Sequence, residues 1–270
     1  MPLSGAINGA KSSRLLSWKS IGKLQQTIAN SIQLSGTTLH SGKITTVKIH
    51  PELARKEATG VDNCRIDIID STSQDDLTTE VPILDGSARE WVKAIESVGL
   101  KVAEDGNGNS CEKLAPFLNE PVHVWKNDSF VAAFPSPKVC LSYGINFPQV
   151  PAIGCQWFSD ASLDDSWYAR EIAPSRTFCI FEEVQTMRNA GLIKGGSAEN
   201  ALVCSAVNGW LNPPLRFHDE PCRHKVLDLI GDLSLLAQDG NQGLPVAHIV
   251  AYKGGHALHT DLVRLLSEFD

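Results

Sequence analysis

The 270-residue chain is 42% hydrophobic and 20% charged, with a formal net charge of −7, the balance of a globular protein rather than a disordered or fibrous one. All 31 acidic residues lie from Glu52 onward, whereas Lys11, Arg14, Lys19, Lys23, Lys43 and Lys48 precede it. So acidic a body excludes a general binder of phosphate backbones, and no run approaches the roughly 18 apolar residues of a membrane-spanning helix.

A water-soluble protein with no nucleic-acid partner and no transmembrane segment is therefore expected. The seven cysteines are scattered without a C-x-x-C pair. An odd count in a chain this long argues against a secreted disulfide framework, so reduced thiols in an intracellular compartment are expected.

Residues 1–23 are basic, Ser-rich and free of Asp and Glu. That is the composition of an organellar transit peptide, with the mitochondrion expected ahead of the plastid; a basic tail with no address has the same composition. Residues 24–49 alternate apolar and polar side chains around Ser41-Gly42, which predicts two short strands, and residues 64–69 predict another. Residues 80–99 predict a short strand, a turn at Asp85-Gly86, and a helix. Ser87 and Glu90 have capping-box spacing, Trp91, Ile95 and Val98 share one side, and Gly99 ends the helix.

The polar, Gly- and Asn-rich segment 103–111 reads as a linker between two lobes. The first lobe with its linker would span 24–113 and the second 114–270. Beyond the linker, strands are predicted at 122–125, 130–134, 139–145 and 247–252. An apolar passage covers 177–181, and residues 181–203 mix a helical pattern with a break at Lys194-Gly195-Gly196. Helices are predicted from about Pro221 and over 256–266. Irregular alternation of strands and helices gives an α+β fold of two two-layer α/β lobes packed together.

The chemistry is concentrated in residues 218–236, H-D-E-P-C-R-H-K-V-L-D-L-I-G-D-L-S-L-L. Asp219 can cap this helix and Pro221 suits its first turn. At about 100° per residue, Val226, Leu229, Ile230 and Leu233 fall on one side, while His224, Asp228 and Asp232 fall on the other, one turn apart. Imidazole and carboxylate at that spacing can share one Zn²⁺, with a third protein ligand required from elsewhere. The same spacing also describes a solvated helix face. Two segments add to it. Lys253-Gly254-Gly255-His256 places His256 at a helix start, where it could donate a proton to a leaving amine or simply cap the helix. Ser175-Arg176-Thr177-Phe178 puts the Thr177 hydroxyl at the start of a strand, where it could donate to a developing oxyanion or stand as an ordinary strand threonine.

Taken together, these segments resemble the UDP-3-O-acyl-N-acetylglucosamine deacetylase family, zinc hydrolases of lipid A biosynthesis. The resemblance is carried in order by Thr38-Leu39-His40-Ser41-Gly42, Gly60-Val61-Asp62-Asn63, E-V-P-I-L-D-G-S-A, Ser175-Arg176-Thr177-Phe178, Gly195-Gly196-Ser197, the run Arg223-His224-Lys225 through Asp232, and Gly255-His256-Ala257-Leu258. It implies Zn²⁺ as cofactor, His224 and Asp228 as its ligands, and a UDP-linked acylated glucosamine as substrate. Thr177 would polarise the scissile carbonyl, His256 would protonate the departing amine, and Asp232 would tune His256. Lys225, Phe178 and Ser197 would meet the substrate, and residues 178–203, with Phe181, Val184, Met187 and Leu192, would border the acyl chain.

One departure stands out. In the family, several dozen residues separate the first hairpin from Gly-Val-Asp-Asn, and they include a helix whose Glu is the general base and whose His is the third zinc ligand. Here residues 51–58 run almost directly into Gly60-Val61-Asp62-Asn63, so that pair has no counterpart and the first lobe is truncated. Glu57 lies after the position of that helix, and no spacing promotes His40 or His50 to ligand. The resemblance thus leaves two readings: a zinc-dependent deacetylase, or a relative or splice form that binds the substrate or a partner without turnover. The oligomeric state is left open.

Overall fold

The computed structural model describes residues 15–54, 62–70, 80–160 and 165–267. The fold is α+β, built around two hydrophobic clusters.

The chain enters through β1 (Leu16–Leu24), antiparallel to β7 (Glu112–Leu118) with Leu16 opposite Leu118. Leu15, Leu16 and Leu118 are buried in the larger cluster. β1 therefore belongs to the folded body, and the expected leader of residues 1–23 overlaps it. The rest of that segment, residues 1–14, lies outside the described residues.

The smaller cluster is local. β2 (Gln26–Ile28) pairs with β6 (Leu100–Val102), while β3 (Ile32–Thr37), β4 (Ile44–Pro51) and β5 (Cys64–Asp70) form an antiparallel sheet in that order. The β3–β4 hairpin turns through Ser41-Gly42, as the alternation predicts. Ile28, Ile32, Val47 and Ile49 form the buried centre, and Trp91, Ile95 and Val98 of helix α1 (Arg89–Val98) pack on it. Burial is thin here: α1 has no fully buried residue, and Ile44, Ile66 and Ile69 are exposed.

Two local expectations are corrected. Residues 80–83 form no strand, and Ile83 makes a single backbone bond to Thr37 at 3.0 Å. The reciprocal capping box does not form, because Glu90 pairs with Arg89 and Lys93, while the Ser87 hydroxyl donates to the Asp85 carboxylate at 2.7 Å and accepts the Arg89 backbone N–H at 3.2 Å. Segment 103–111 folds as a tight turn: the Asp105 carboxylate accepts the backbone N–H of Asn107 at 2.8 Å and of Asn109 at 2.9 Å.

The larger cluster lies under a five-stranded sheet. β8 (Val122–Lys126), β9 (Ser129–Pro135), β10 (Cys140–Phe147), β11 (Gly154–Asp160) and β15 (Ala247–Tyr252) are ordered β11-β10-β15-β9-β8. Within this sheet only β10 and β15 run parallel. The short helix α2 (Asp165–Trp167) continues into a π turn, Tyr168–Ile172. A second small sheet joins β12 (Phe178–Ile180), β13 (Leu202–Ser205) and β14 (Gly209–Trp210), and α3 (Phe181–Asn189) lies between its first two strands in sequence.

Helices α4 (Glu220–Leu233) and α5 (His256–Ser267) pack on the main sheet and on each other. Val226, Leu229 and Leu233 of α4 are fully buried, matching the apolar stripe, with Pro221 in its first turn. Asp219 makes no side-chain cap; its carboxylate takes the Arg223 Nε–H at 2.7 Å instead.

The two halves are joined by polar contacts. Arg216, just before α4, donates to Asp85 at 2.8 Å and to the Pro174 carbonyl at 2.7 Å. Gly86, with φ of +77°, allows the chain to pass so closely that a Cβ would stand 2.0 Å from the Asn200 carbonyl oxygen. That approach lets the Gly86 carbonyl accept the Thr177 N–H at 2.7 Å.

Candidate active site

The polar side of α4 is not a solvated face. It lies beneath the 175–177 segment and against the start of α5, and His224 is buried with its side chain 11% exposed and Asp228 at 10%. The Nδ1 of His224 lies 3.0 Å from the Ser175 carbonyl oxygen. A carbonyl only accepts, so Nδ1 carries the ring proton and Nε2 presents a lone pair. That lone pair faces Oδ1 of Asp228 at 3.5 Å.

Burial pushes the proton affinity of His224 down despite nearby Asp228, so the ring stays neutral. Burial pushes Asp228 up, but His224 and the Lys225 ammonium outweigh it and the carboxyl ends below its ordinary range. Lys225 holds the other oxygen, Oδ2, at 2.8 Å. An acceptor nitrogen and an anionic oxygen facing each other repel unless a cation lies between them. Two donor atoms of a tetrahedral zinc site stand roughly 3.3–3.5 Å apart, given the ordinary Zn–N and Zn–O lengths. The pair has the chemistry and the spacing of two ligands to one metal, and its carbonyl-anchored histidine is the outer-shell support such ligands use.

The structure brings the other sequence-predicted residues around this pair. His256, at the first position of α5, sets its Nε2 4.0 Å from Asp228 Oδ1 and its Nδ1 2.8 Å from Asp232 Oδ2. Thr177 lies two residues beyond the carbonyl that anchors His224 and lines an apolar cavity of about 360 Å³. Leu39, Phe178, Val184, Met187 and Ser197 line the same cavity. Phe178 bridges two regions: the Lys225 ammonium lies 5.6 Å from its ring centroid, and Phe147 meets it edge-on at 5.6 Å. On the far side of Lys225 is a second cavity of about 320 Å³, bordered by Asn146, Phe147, Lys225 and Lys253.

Two residues of this constellation escape sequence reasoning. His259 is fully buried and sets its Nδ1 2.8 Å from Asp232 Oδ2 and its Nε2 3.0 Å from the Tyr143 hydroxyl. Its signal was present: in H-A-L-H it follows His256 by three residues, on the same helix face. Tyr143 gave none, since strand alternation marks it as ordinary core.

His40 and His50 are occupied elsewhere. The first meets the Leu192 carbonyl at 3.2 Å, and the second meets Ser31 at 3.0 Å and Asp67 at 3.3 Å. Among the described residues, the one group of three His, Cys, Asp or Glu side chains whose ligand atoms crowd together is Asp232, His256 and His259. Its 2.8 Å separations are hydrogen bonds to a shared carboxylate oxygen. Residues 55–61, where the expected Glu-His helix would join, lie outside the described residues.

Residues 53–268 match the family described as UDP-3-O-acyl N-acetylglycosamine deacetylase. The chain is 52% identical over 304 residues to an Arabidopsis thaliana protein named "Probable UDP-3-O-acyl-N-acetylglucosamine deacetylase 1, mitochondrial", covering 96% of this chain and 93% of that one. It is 44% identical over 241 residues to the UDP-3-O-acyl-N-acetylglucosamine deacetylase of Trichormus variabilis, covering 88% and 79%. With that of Thermosynechococcus vestitus it shares 40% over 288 residues, covering 92% and 95%. Aligned stretches of 304 and 288 residues exceed the 270 of the chain itself, so these relatives carry residues with no counterpart here. The chain belongs to the UDP-3-O-acyl-N-acetylglucosamine deacetylase family.

Proposed function

We propose that this chain is a zinc-dependent amidohydrolase that removes the acetyl group from a UDP-linked, acylated N-acetylglucosamine of the lipid A pathway. The observation that carries the reading is the facing pair, His224 Nε2 and Asp228 Oδ1 at 3.5 Å, which would hold the metal. Bound there, Zn²⁺ supplies a Lewis acid that polarises a carbonyl and makes water more acidic.

The chain's own residues do the rest. The cavity beside Phe178, Val184 and Met187 takes the acyl chain. Lys225 and the cavity next to it, which Lys253 also borders, take the charged, nucleotide end of the substrate. The Thr177 hydroxyl donates to the oxyanion that develops as water adds to the acetyl carbon. His256 Nε2 takes the proton that the attacking water sheds and passes it to the amine nitrogen as the C–N bond breaks and acetate leaves, while Asp232 steadies the ring from the Nδ1 side. The basic, acid-free residues 1–23, together with the mitochondrial names of the Arabidopsis relatives, support a mitochondrial location.

A second reading rests on a specific observation: the relatives' extra residues, and the lack of a third ligand beside His224 and Asp228 among the described residues. In that reading the chain binds the substrate or a partner without turnover. Metal analysis and acetate release decide between them. Stoichiometric zinc with measurable acetate supports the hydrolase; tight substrate binding with neither supports the second reading.

A further inference from the structure

Oδ2 of Asp232 lies 2.8 Å from two ring nitrogens, Nδ1 of His256 and Nδ1 of His259. The two histidines live in different worlds: the His256 side chain is 68% exposed beside the zinc-site carboxylate, and His259 is fully buried. His259 turns its Nε2 to the Tyr143 hydroxyl at 3.0 Å, with the two rings edge to face.

The protons in this chain have one consistent placement. Burial raises the pKa of the Tyr143 phenol far above its ordinary range, so it keeps its proton and donates it to Nε2. Burial also lowers the affinity of His259 for a second proton, against the opposing pull of Asp232. A neutral ring that accepts at Nε2 carries its single proton on Nδ1, where its partner is Asp232. The hydrogen bonds therefore run from Tyr143 through His259 to Asp232. His256, from the other side, must also donate through Nδ1, because a carboxylate oxygen can only accept.

We propose that His259 is a positioning residue for the proton-donating step. With Tyr143 behind it, it locks the Asp232 carboxylate, so that His256 adopts its Nδ1-protonated form and turns Nε2 toward Asp228 and the substrate. The backbone is shaped for this. Gly254, in the loop before α5, leaves room that a Cβ would take, standing 2.9 Å from the Tyr143 hydroxyl oxygen and 3.0 Å from His259 Nε2. Asp232 comes from the end of α4, His256 and His259 from the first turn of α5, and Tyr143 from the middle of β10. Three elements supply one chain of hydrogen bonds that ends on the Asp232 carboxylate. Without His259, Asp232 would lose its buried donor and could rotate, and His256 would lose the fixed acceptor that sets its ring.

The inference rests on His256 as the proton donor of the proposed reaction, and the test reads the two ideas separately. Nitrogen NMR of the imidazole rings in the zinc-supplemented full chain reports the tautomer of His256, and kinetics on the UDP-linked substrate report turnover. The wild type is expected to show His256 protonated at Nδ1. His259→Leu is expected to mix the His256 tautomers and to lower kcat by roughly 10-fold or more, the usual range for outer-shell losses, with KM nearly unchanged. His259→Asn, whose amide can still donate to Asp232, should restore the tautomer and most of kcat. Tyr143→Phe should release the tautomer of His259 itself. If His259→Leu does not fold, the Asn and Phe variants carry the test. Unchanged His256 signals in the variants that remove a donor overturn the proposal, whatever kcat does. A shifted tautomer in a chain without turnover upholds the positioning and counts against the catalytic reading alone.

Discussion

Nε2 of His224 faces Oδ1 of Asp228 across 3.5 Å, one turn along the same helix. The Ser175 carbonyl fixes which nitrogen points there, so the pair is organised before any metal arrives. Its cost without a cation is the repulsion between two electron pairs in a partly buried place.

Replacing either member should therefore remove the metal before it removes the fold. His224→Ala and Asp228→Asn are expected to weaken Zn²⁺ binding by at least 10-fold, read by chelator competition, with far-UV circular dichroism unchanged. Asp228→Asn should also free Lys225, which holds Oδ2 at 2.8 Å, and so weaken substrate binding as well. Retention of full zinc affinity in both variants would place the metal elsewhere.

Supplying the missing segment should raise activity. On the proposed reading, the Arabidopsis relative's additional residues, grafted between Ala54 and Glu57, are expected to add a base and a third ligand. A general base contributes about 10²–10⁴-fold in rate, so acetate release should rise by that order and zinc should bind more tightly. A folded graft with no gain in either would show that the existing residues already complete the site.

The apolar cavity should measure acyl length. Val184 lines it from α3, and Val184→Trp fills space at no cost to the polar site. KM should rise for long-chain substrates and stay constant for short ones, with kcat unaffected. A uniform change across chain lengths would mean that the chain lies elsewhere.

Asp85 should carry acid-sensitive stability. Burial raises its pKa, but hydrogen bonds from Ser87 and the Arg216 guanidinium outweigh burial, so the carboxyl sits below its ordinary range. A lowered folded pKa contributes stability that is fully present above the unfolded value of about 3.9 and is lost as pH falls through the folded value. Asp85→Asn is expected to cost about 1–2 kcal/mol at neutral pH. In urea melts, the gap between wild type and variant should close below about pH 4. A gap that persists in acid would assign the effect to packing.

Much of this site was legible in the sequence because its first layer is local. The period of α4 predicts that Val226, Leu229 and Leu233 face the core and that His224, Asp228 and Asp232 share a side, and the structure has both. The strands at 122–126, 129–135, 140–147 and 247–252 follow from short apolar runs and alternation. Local readings failed where a tertiary partner competed. The capping box of Ser87 and Glu90 lost its second half when Glu90 paired with Arg89 and Lys93, and Asp219 looked like a cap until Arg223 took its carboxylate. An ion pair or a charged hydrogen bond outweighs a single capping bond, and no spacing rule contains it.

The sequence by itself determined the family, the α+β class and the helix that carries the His224–Asp228 pair, because helical periodicity and ordered motifs are properties of neighbouring residues. Tertiary structure decided the rest. It chose the nitrogen that His224 presents, through a carbonyl 49 residues away, and it made His259 a partner of Tyr143 across 116 residues. It also drew β1 into the core against Leu118. Tautomers and carboxylate orientations are set by what lies across the packed interior, and the interior exists only after the chain has folded.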